Sequence, residues 1–375
     1  MLKAVNLTLM IGPAVPVPVS RDILDALTAV TVTTSDSGPS VFKLTFTMST
    51  NSPLQTLFLL AGGVSIPLVR VVLVATVSGT HHVLIDGVMT NHEISPGDAT
   101  HATLNIIGED LTRVMDYIDF SGIPYPAMPP EARVLLILAK YAVLGVIPMV
   151  IPSVLIDIPI PTDRIPRQQG TDLAYVKALA DEVGYVFYIE PGPAPGTSVA
   201  YWGPQIKVGV PQPALNSSNM DSFGNSTTGS FSYNADAGTL PILFIQEPTT
   251  KAIIPIPIPN ITPLNPPLGL IPPLPKTIVP IDGTAKLSPL RAALIGMAKA
   301  AKSADAVTAG GELDVTRYGT LLKARGLVGV RGVGTAFDGL YYVNSVTHSI
   351  KRGEYKQSFS LSRNGLISTL SKVPA

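Results

Sequence analysis

The chain has no cysteine among its 375 residues. Disulfides and thiolate metal sites are excluded, while the compartment is left open. Charge is sparse and balanced, with 26 basic and 26 acidic residues making up 14% of the chain and no basic cluster. The electrostatic footprint of a nucleic-acid binder is therefore missing. The lone tryptophan, Trp202 in "AYWGP", makes a poor sugar platform and reads as a packing anchor. There are five histidines: His81, His82, His92, His101 and His348. His92-Glu93 opens like a zinc-protease motif, but Pro96 stands where the second histidine belongs and opposes the required helix. The four clustered histidines read as strand residues in a loop-rich sheet rather than as metal ligands. No Gly-x-Ser-x-Gly elbow exists, and "GVRGVG" has neither the phosphate-loop ending nor the dinucleotide glycine spacing. The carboxylate pairs Asp116/Asp119 and Asp181/Glu182 read as solvated faces, although glycosidase carboxylates can lie far apart in sequence. No catalytic residue, cofactor or metal is predicted.

Uninterrupted apolar runs are also lacking, despite 46% hydrophobic residues. Phe58 to Thr76 contains Gly62-Gly63, Pro67 and Arg70, and its β-branched end reads as a buried strand. Val134 to Ile160 contains Lys140 and is broken by Pro148, Pro152 and Pro159. About 20 helical residues are needed to span a bilayer, so a helix followed by an extended segment is predicted, without stable membrane insertion. The amino terminus lacks a convincing signal-peptide cleavage site, and no targeting signal is expected.

What is present is alternation. In "GEYKQSFSLS", Tyr355, Phe359 and Leu361 point one way, while Lys356, Ser358, Ser360 and Ser362 point the other. Gly353 suits the short hairpin turn before them. An antiparallel sheet with one wet face explains the pattern. Phe42 to Ser49 repeats it: aromatic, Lys43, variable, Thr45, Phe46, Thr47, apolar, Ser49. A second echo sets His92-Glu93-Ile94-Ser95-Pro96-Gly97 beside His348-Ser349-Ile350-Lys351-Arg352-Gly353. The echoes occur in opposite order along the chain. They reflect either chance among alternating strands or two related β domains facing one aqueous space.

The chain divides into a strand-dominated region at 1–112, an α/β insert at 113–210 and connecting strands at 211–252. A Pro-rich extended segment at 253–281 and a second β region at 282–375 follow. Helices are expected over Glu131–Tyr141 and Thr171–Val183, the latter with Thr171 as N-cap and Gly184 as stop. A third is expected from Ser288. The tract "IIPIPIPNITPLNPPLGLIPPLPKTIVPI" is too proline-rich for a helix or a central strand. It is a semi-rigid connector or an oily arm laid on a neighbouring subunit. The fold class is mainly β with a small α/β insert.

"GLVGVRGVGTAFDGLYYVNSVTHSIKRGEYKQSFSLSRNG" resembles the end of the phage late-control D family, baseplate hub proteins of contractile phage tails and injection systems. The matching positions are Gly339, Tyr341, Val343, Val346 and His348, then Gly353, Tyr355 and Phe359. "QQGTDLAYVKALADEVGYVFYIE" and "VAYWGP" are similar to that family's insert. The resemblance implies two tube-like antiparallel β-barrel domains per chain, closing as a homotrimer into a ring with pseudo-six-fold symmetry. It implies a structural, non-enzymatic adaptor between a six-fold inner tube and a three-fold spike, with baseplate wedge proteins as further partners. Because the chain stops soon after the second β region, it resembles the stand-alone hub, or the amino-terminal part of VgrG, with a separate spike protein. Lys43, Thr45, Thr47, Ser49, Lys356, Ser358, Ser360 and Ser362 would line the lumen. Assembly in the bacterial cytoplasm within a phage-tail-like particle is implied. The alternatives are a cell-wall-degrading enzyme and a membrane or adhesive component.

Overall fold

A computed structural model describes residues 5–13, 15–49, 68–96, 102–153, 161–162, 165–216, 226–246, 252–258, 266–281 and 305–370, with the single residues 52, 54, 58 and 296. The first half holds β1 (Val5–Gly12), β2 (Val17–Pro18), α1 (Arg21–Ala26), β3 (Leu27–Ser35), β4 (Val41–Met48), β5 (Arg70–Val77), β6 (Thr80–Pro96) and β7 (Ala102–Asp110). The insert holds α2 (Pro130–Ala139), β8 (Val146–Val150), α3 (Asp172–Val183), β9 (Val186–Pro191) and β10 (Ser198–Gly203). Next come β11 (Gln212–Asn216), β12 (Ser226–Tyr233), β13 (Thr239–Gln246), β14 (Ile253–Pro257), β15 (Gly269–Ile271) and β16 (Thr277–Ile281). The chain continues through β17 (Val307–Asp314), α4 (Val315–Tyr318), β18 (Leu327–Arg331), β19 (Gly339–Lys351), β20 (Glu354–Arg363) and β21 (Leu366–Ser368).

Mainly β architecture with an α/β insert is what the alternating segments predict, and it is what forms. The two β regions are not separate sheets, however. They join in one 13-stranded sheet, ordered β12-β17-β20-β19-β3-β4-β7-β6-β5-β1-β2, with β18 and β11 branching from β19. The joint is the antiparallel pairing of β19 with β3, from Ser345↔Ser35 to Lys351↔Ala29. One hydrophobic core runs beneath both halves, from Leu9, Phe42, Leu44 and Phe46 to Val343, Val346, Phe359 and Leu361. β5 is buried along nearly its whole length, which is why it reads as a continuous apolar run rather than an alternating one.

The second half begins earlier than its sequence rhythm suggests, because β11 and β12 pair into the large sheet. Asn234 N–H donates to Ala306 O, so the intervening residues leave and rejoin the sheet side by side. β13 to β16 lie in this connection between β12 and β17. Part of the Pro-rich tract is more regular than a polyproline segment: β14 and β16 flank β13 in a three-stranded sheet. Pro255, Pro257 and Pro280 of the tract sit on its edge strands, where a missing N–H need not cost a ladder bond. Ile253, Ile254, Ile278 and Val279 are exposed there. The helix expected from Ser288 lies outside the described residues, apart from the helical Gly296.

The insert packs its own core of Val134, Ile137, Leu138, Val176, Leu179, Ala200 and Trp202. Thr171 caps α3 by accepting from Ala174 N, and Gly184 ends it in the left-handed region at φ 72°. Trp202 is fully buried, donates to Val176 O and sets its ring edge-on to Tyr185. A bidentate ion pair anchors the insert to the sheet. Arg70 Nε and Nη2 each donate to Asp86 at 2.7 Å; Nη2 also reaches Gly196 O, and Ser198 Oγ donates to Asp86. No helix among the described residues is long and apolar enough to cross a membrane.

The two halves of the large sheet repeat one another. β3, β4, β7, β6 and β5 pair in series, as do β12, β17, β20, β19 and β18, antiparallel throughout. Setting Thr31 against Ser230 and Lys43 against Gly310 brings the bulges into coincidence. Thr28 in β3 falls on Thr227 in β12, and Thr90 in β6 falls on Asn344 in β19. Neither sequence echo follows this equivalence. β4 corresponds to β17 rather than β20, so their shared pattern is alternation on non-equivalent strands. β6 and β19 do correspond, but His92 falls on Val346, two residues short of His348.

Candidate functional site

The surface shared by both halves is the face of the sheet opposite the core. In β4, Phe42, Leu44, Phe46 and Met48 are buried; Lys43 and Thr47 are exposed, as is Ser49 just beyond the strand, and Thr45 is half-buried. In β20, Tyr355, Gln357, Phe359 and Leu361 are buried, Ser358 is exposed, and Lys356 and Ser360 are half-buried. Seven of the eight predicted face residues thus lie open or partly open to solvent.

Ser362 does not. It is 2% exposed, its Oγ donating to Asp305 Oδ2 at 2.6 Å and lying 2.9 Å from Asn344 Oδ1. Alternation assigns it to the right face, but the chain arriving at β17 covers that end of β20. Lys207, itself nearly buried, completes the cluster through its ion pair with Asp305 at 2.9 Å. Arg325 adds a second tie there, donating to Ser35 O while its guanidinium stacks 3.9 Å from the Tyr188 ring centre. Both halves of the sheet and the insert meet at these side chains.

The register shows how the open residues join. One row crosses seven strands as Asp314, Lys356, Ser349, Thr31, Lys43, Ile107 and Asn91. The next runs Glu312, Ser358, Thr347, Thr33, Val41 and Glu109. At the joint, Thr33 Oγ1 and Thr347 Oγ1 share a hydrogen bond of 2.9 Å, and Thr45 Oγ1 donates to Asn105 Oδ1. Lys356 lies between Glu354 at 2.8 Å and Glu312 at 3.1 Å, and these partners raise its pKa above the usual lysine value. Lys356 and Lys43 are three strands apart, roughly 14 Å at the usual strand spacing. The face is a hydroxyl carpet with dispersed charge, able to hold water and offering no cluster of one sign.

Thr31, Thr33, Ser345, Thr347 and Ser349 also belong to this face. Their alternation in "AVTVTTS" and "VNSVTHSI" is visible in the sequence; what is not visible is that β3 and β19 are neighbours. Gln357 holds a different position, buried on the core side, where its amide pairs with both the N–H and the carbonyl of Leu322. His348 lies beside it with Nδ1 2.8 Å from Tyr355 OH, and burial, then His82, pushes its pKa down to about 4.

The pair Asp116/Asp119 has structural partners, while Asp181 and Glu182 are exposed on α3. Asp116 accepts from Thr171 Oγ1, and Asp119 from Ser121 N. Among the described residues no three His, Asp or Glu side chains converge as metal ligands would.

No family model matches the sequence, and no curated protein matches it. Solved structures do. The tail protein from Neisseria meningitidis MC58 superposes with a TM-score of 0.62 at 13% identity, covering 96% of this chain and 98% of its own. The 43 kDa tail protein of prophage MuSo2 from Shewanella oneidensis gives 0.61 at 15% identity, over 96% and 99%. The E. coli c3393 protein, described as a type VI secretion component with structural similarity to the T4 tail proteins gp27 and gp5, gives 0.52 at 13% identity, over 93% and 76%. At these identities the likeness is one of fold, and it spans nearly the entire chain: this protein has the fold of phage tail proteins and of a type VI secretion component.

Proposed function

We propose that this protein is a structural baseplate hub, in which three copies close into a ring around a channel lined by the hydroxyl face. The observation that carries this reading is the internal repeat. Two equivalent five-strand ladders, joined edge to edge with one continuous wet face, supply a third of a six-part ring from each chain. Three chains then present six similar ladders upward to an inner tube and three-fold geometry downward to a spike, which makes the chain a symmetry adaptor. Closed rotational symmetry is the common solution for such assemblies. Function by geometry requires no catalytic group. Baseplate wedge proteins would bind the outside, and assembly would take place in the bacterial cytoplasm as part of a phage-tail-like particle.

Two measurements test this. Native mass of the purified chain, alone and with its neighbouring spike protein, is expected to give a trimer of about 118 kDa, three chains of 39.4 kDa; a monomer under both conditions refutes the ring. Ser358→Leu with Ser360→Leu leaves the core side of β20 untouched and is expected to impair tube docking or cargo passage. Unchanged assembly and delivery would remove the lumen assignment.

A further inference from the structure

The repeat that carries the hub reading also contains a template for how one chain meets the next. Within the chain, β19 changes partners along its length. Residues Gly339 to Tyr342 pair with β18; the strand bulges at Asn344, and Ser345 to Lys351 then pair with β3, the leading strand of the other half. Its equivalent, β6, begins the same way. Thr80 to Val88 pair with β5 and the strand bulges at Thr90. Beyond the bulge, Asn91 to Pro96 pair with β7 on one side, and among the described residues their other edge has no partner.

That edge carries core-side residues that stand open to solvent. Ile94 pairs with Leu104, which is fully buried, so its side chain lies on the core side of the sheet; yet Ile94 is 47% exposed. His92, paired with the buried Ile106, is exposed as well. An open row of N–H and C=O groups beside uncovered core-side residues is a site for strand addition. The equivalent of β3 is β12, which pairs with β17 on one side and is likewise open on the other among the described residues.

We infer that Asn91–Pro96 of one copy pairs antiparallel with β12 of the next copy, reproducing the β19–β3 joint between molecules. The occupant is a second copy of this chain because the missing strand, by the internal equivalence, is one the chain itself carries with a free edge. The register follows. Thr31 pairs with Ser349 inside the chain; their equivalents are Ser230 and Ser95. Val32 and His348 become Phe231 and Ile94, which sets a half-buried aromatic ring beside the exposed isoleucine on the core side. Thr33 and Thr347 become Ser232 and Glu93 on the wet face. The hydroxyl carpet would then continue across the seam without a break.

This inference rests on the ring reading, and the experiment separates the two. Because the chain has no cysteine, Ser95→Cys with Ser230→Cys places the only thiols in the full-length protein. Treatment with a short bis-maleimide is expected to give covalent dimers and trimers on a denaturing gel. Asn91→Cys with Ser230→Cys, four residues out of register and roughly 13 Å apart along the strand, is expected to give little. The intrachain pair Thr31→Cys with Ser349→Cys, which the seam copies, should close without changing apparent mass. A trimer by native mass whose Ser95/Ser230 thiols stay uncoupled overturns the seam and leaves the ring standing. Coupling of Asn91/Ser230 in preference overturns the register. A monomer by native mass overturns both.

Discussion

Asp86→Ala is expected to be among the most damaging single substitutions in the chain. Its carboxylate meets Arg70 through two bonds of 2.7 Å, with side-chain exposures of 0% and 2%. Truncation takes this carboxylate away from a buried guanidinium and removes the acceptor of Ser198 Oγ. Breaking one partner of such a pair costs about 3–5 kcal/mol, whereas exchanging both for apolar groups of similar volume is often near neutral. At about 1.3 °C per kcal/mol for a chain of this length, the single variant should melt roughly 4–6 °C lower. Arg70→Met with Asp86→Leu should recover most of that loss, since it abolishes the buried charge along with the pair. Thermal melts followed by circular dichroism, with urea midpoints as a second measure, complete the cycle. A shift under about 2 °C for Asp86→Ala, or a double variant as unstable as the single, would refute the reasoning.

His348 is held neutral by burial, its pKa lowered from 6.5 to about 4. The unfolded chain takes up that proton near pH 6.5 while the folded one does not, so this contribution is present above 6.5 and lost as pH falls towards 4. In the limit it amounts to about 3 kcal/mol, and urea midpoints across that window should fall less steeply in His348→Gln than in the parent. Gly108→Ala should cost on the order of 1–3 kcal/mol, because a Cβ there collides with Val88 O and the Phe42 ring; an unchanged melting temperature would show that the ladder yields at that point.

Alternation was enough to assign Phe42, Phe46, Tyr355 and Phe359 to the core and Lys43 and Ser358 to a wet face, since a strand offers each side chain only two directions. The cap at Thr171 and the stop at Gly184 were legible because both are local geometry. Ser362 shares that wet face but is covered, and the cover is not legible in the strand because it depends on Asp305, 57 residues away in sequence. Two related β regions are one reading of the echoes, but the echoes do not mark the equivalent strands. Equivalent strands such as "VFKLTFTM" and "VTAGGELD" share no residue pattern, and only their ladders and bulges coincide.

The sequence by itself determined which residues share one face of a strand, where the helices of the insert begin and end, and that no thiol chemistry is present, because these follow from residue type and period. The pairing of β3 with β19, and so the merging of two half-sheets into one surface, was decided by tertiary structure. Strand pairing depends on backbone groups that every non-proline residue carries alike. The choice between partners more than 300 residues apart is made by what the shared core beneath them buries.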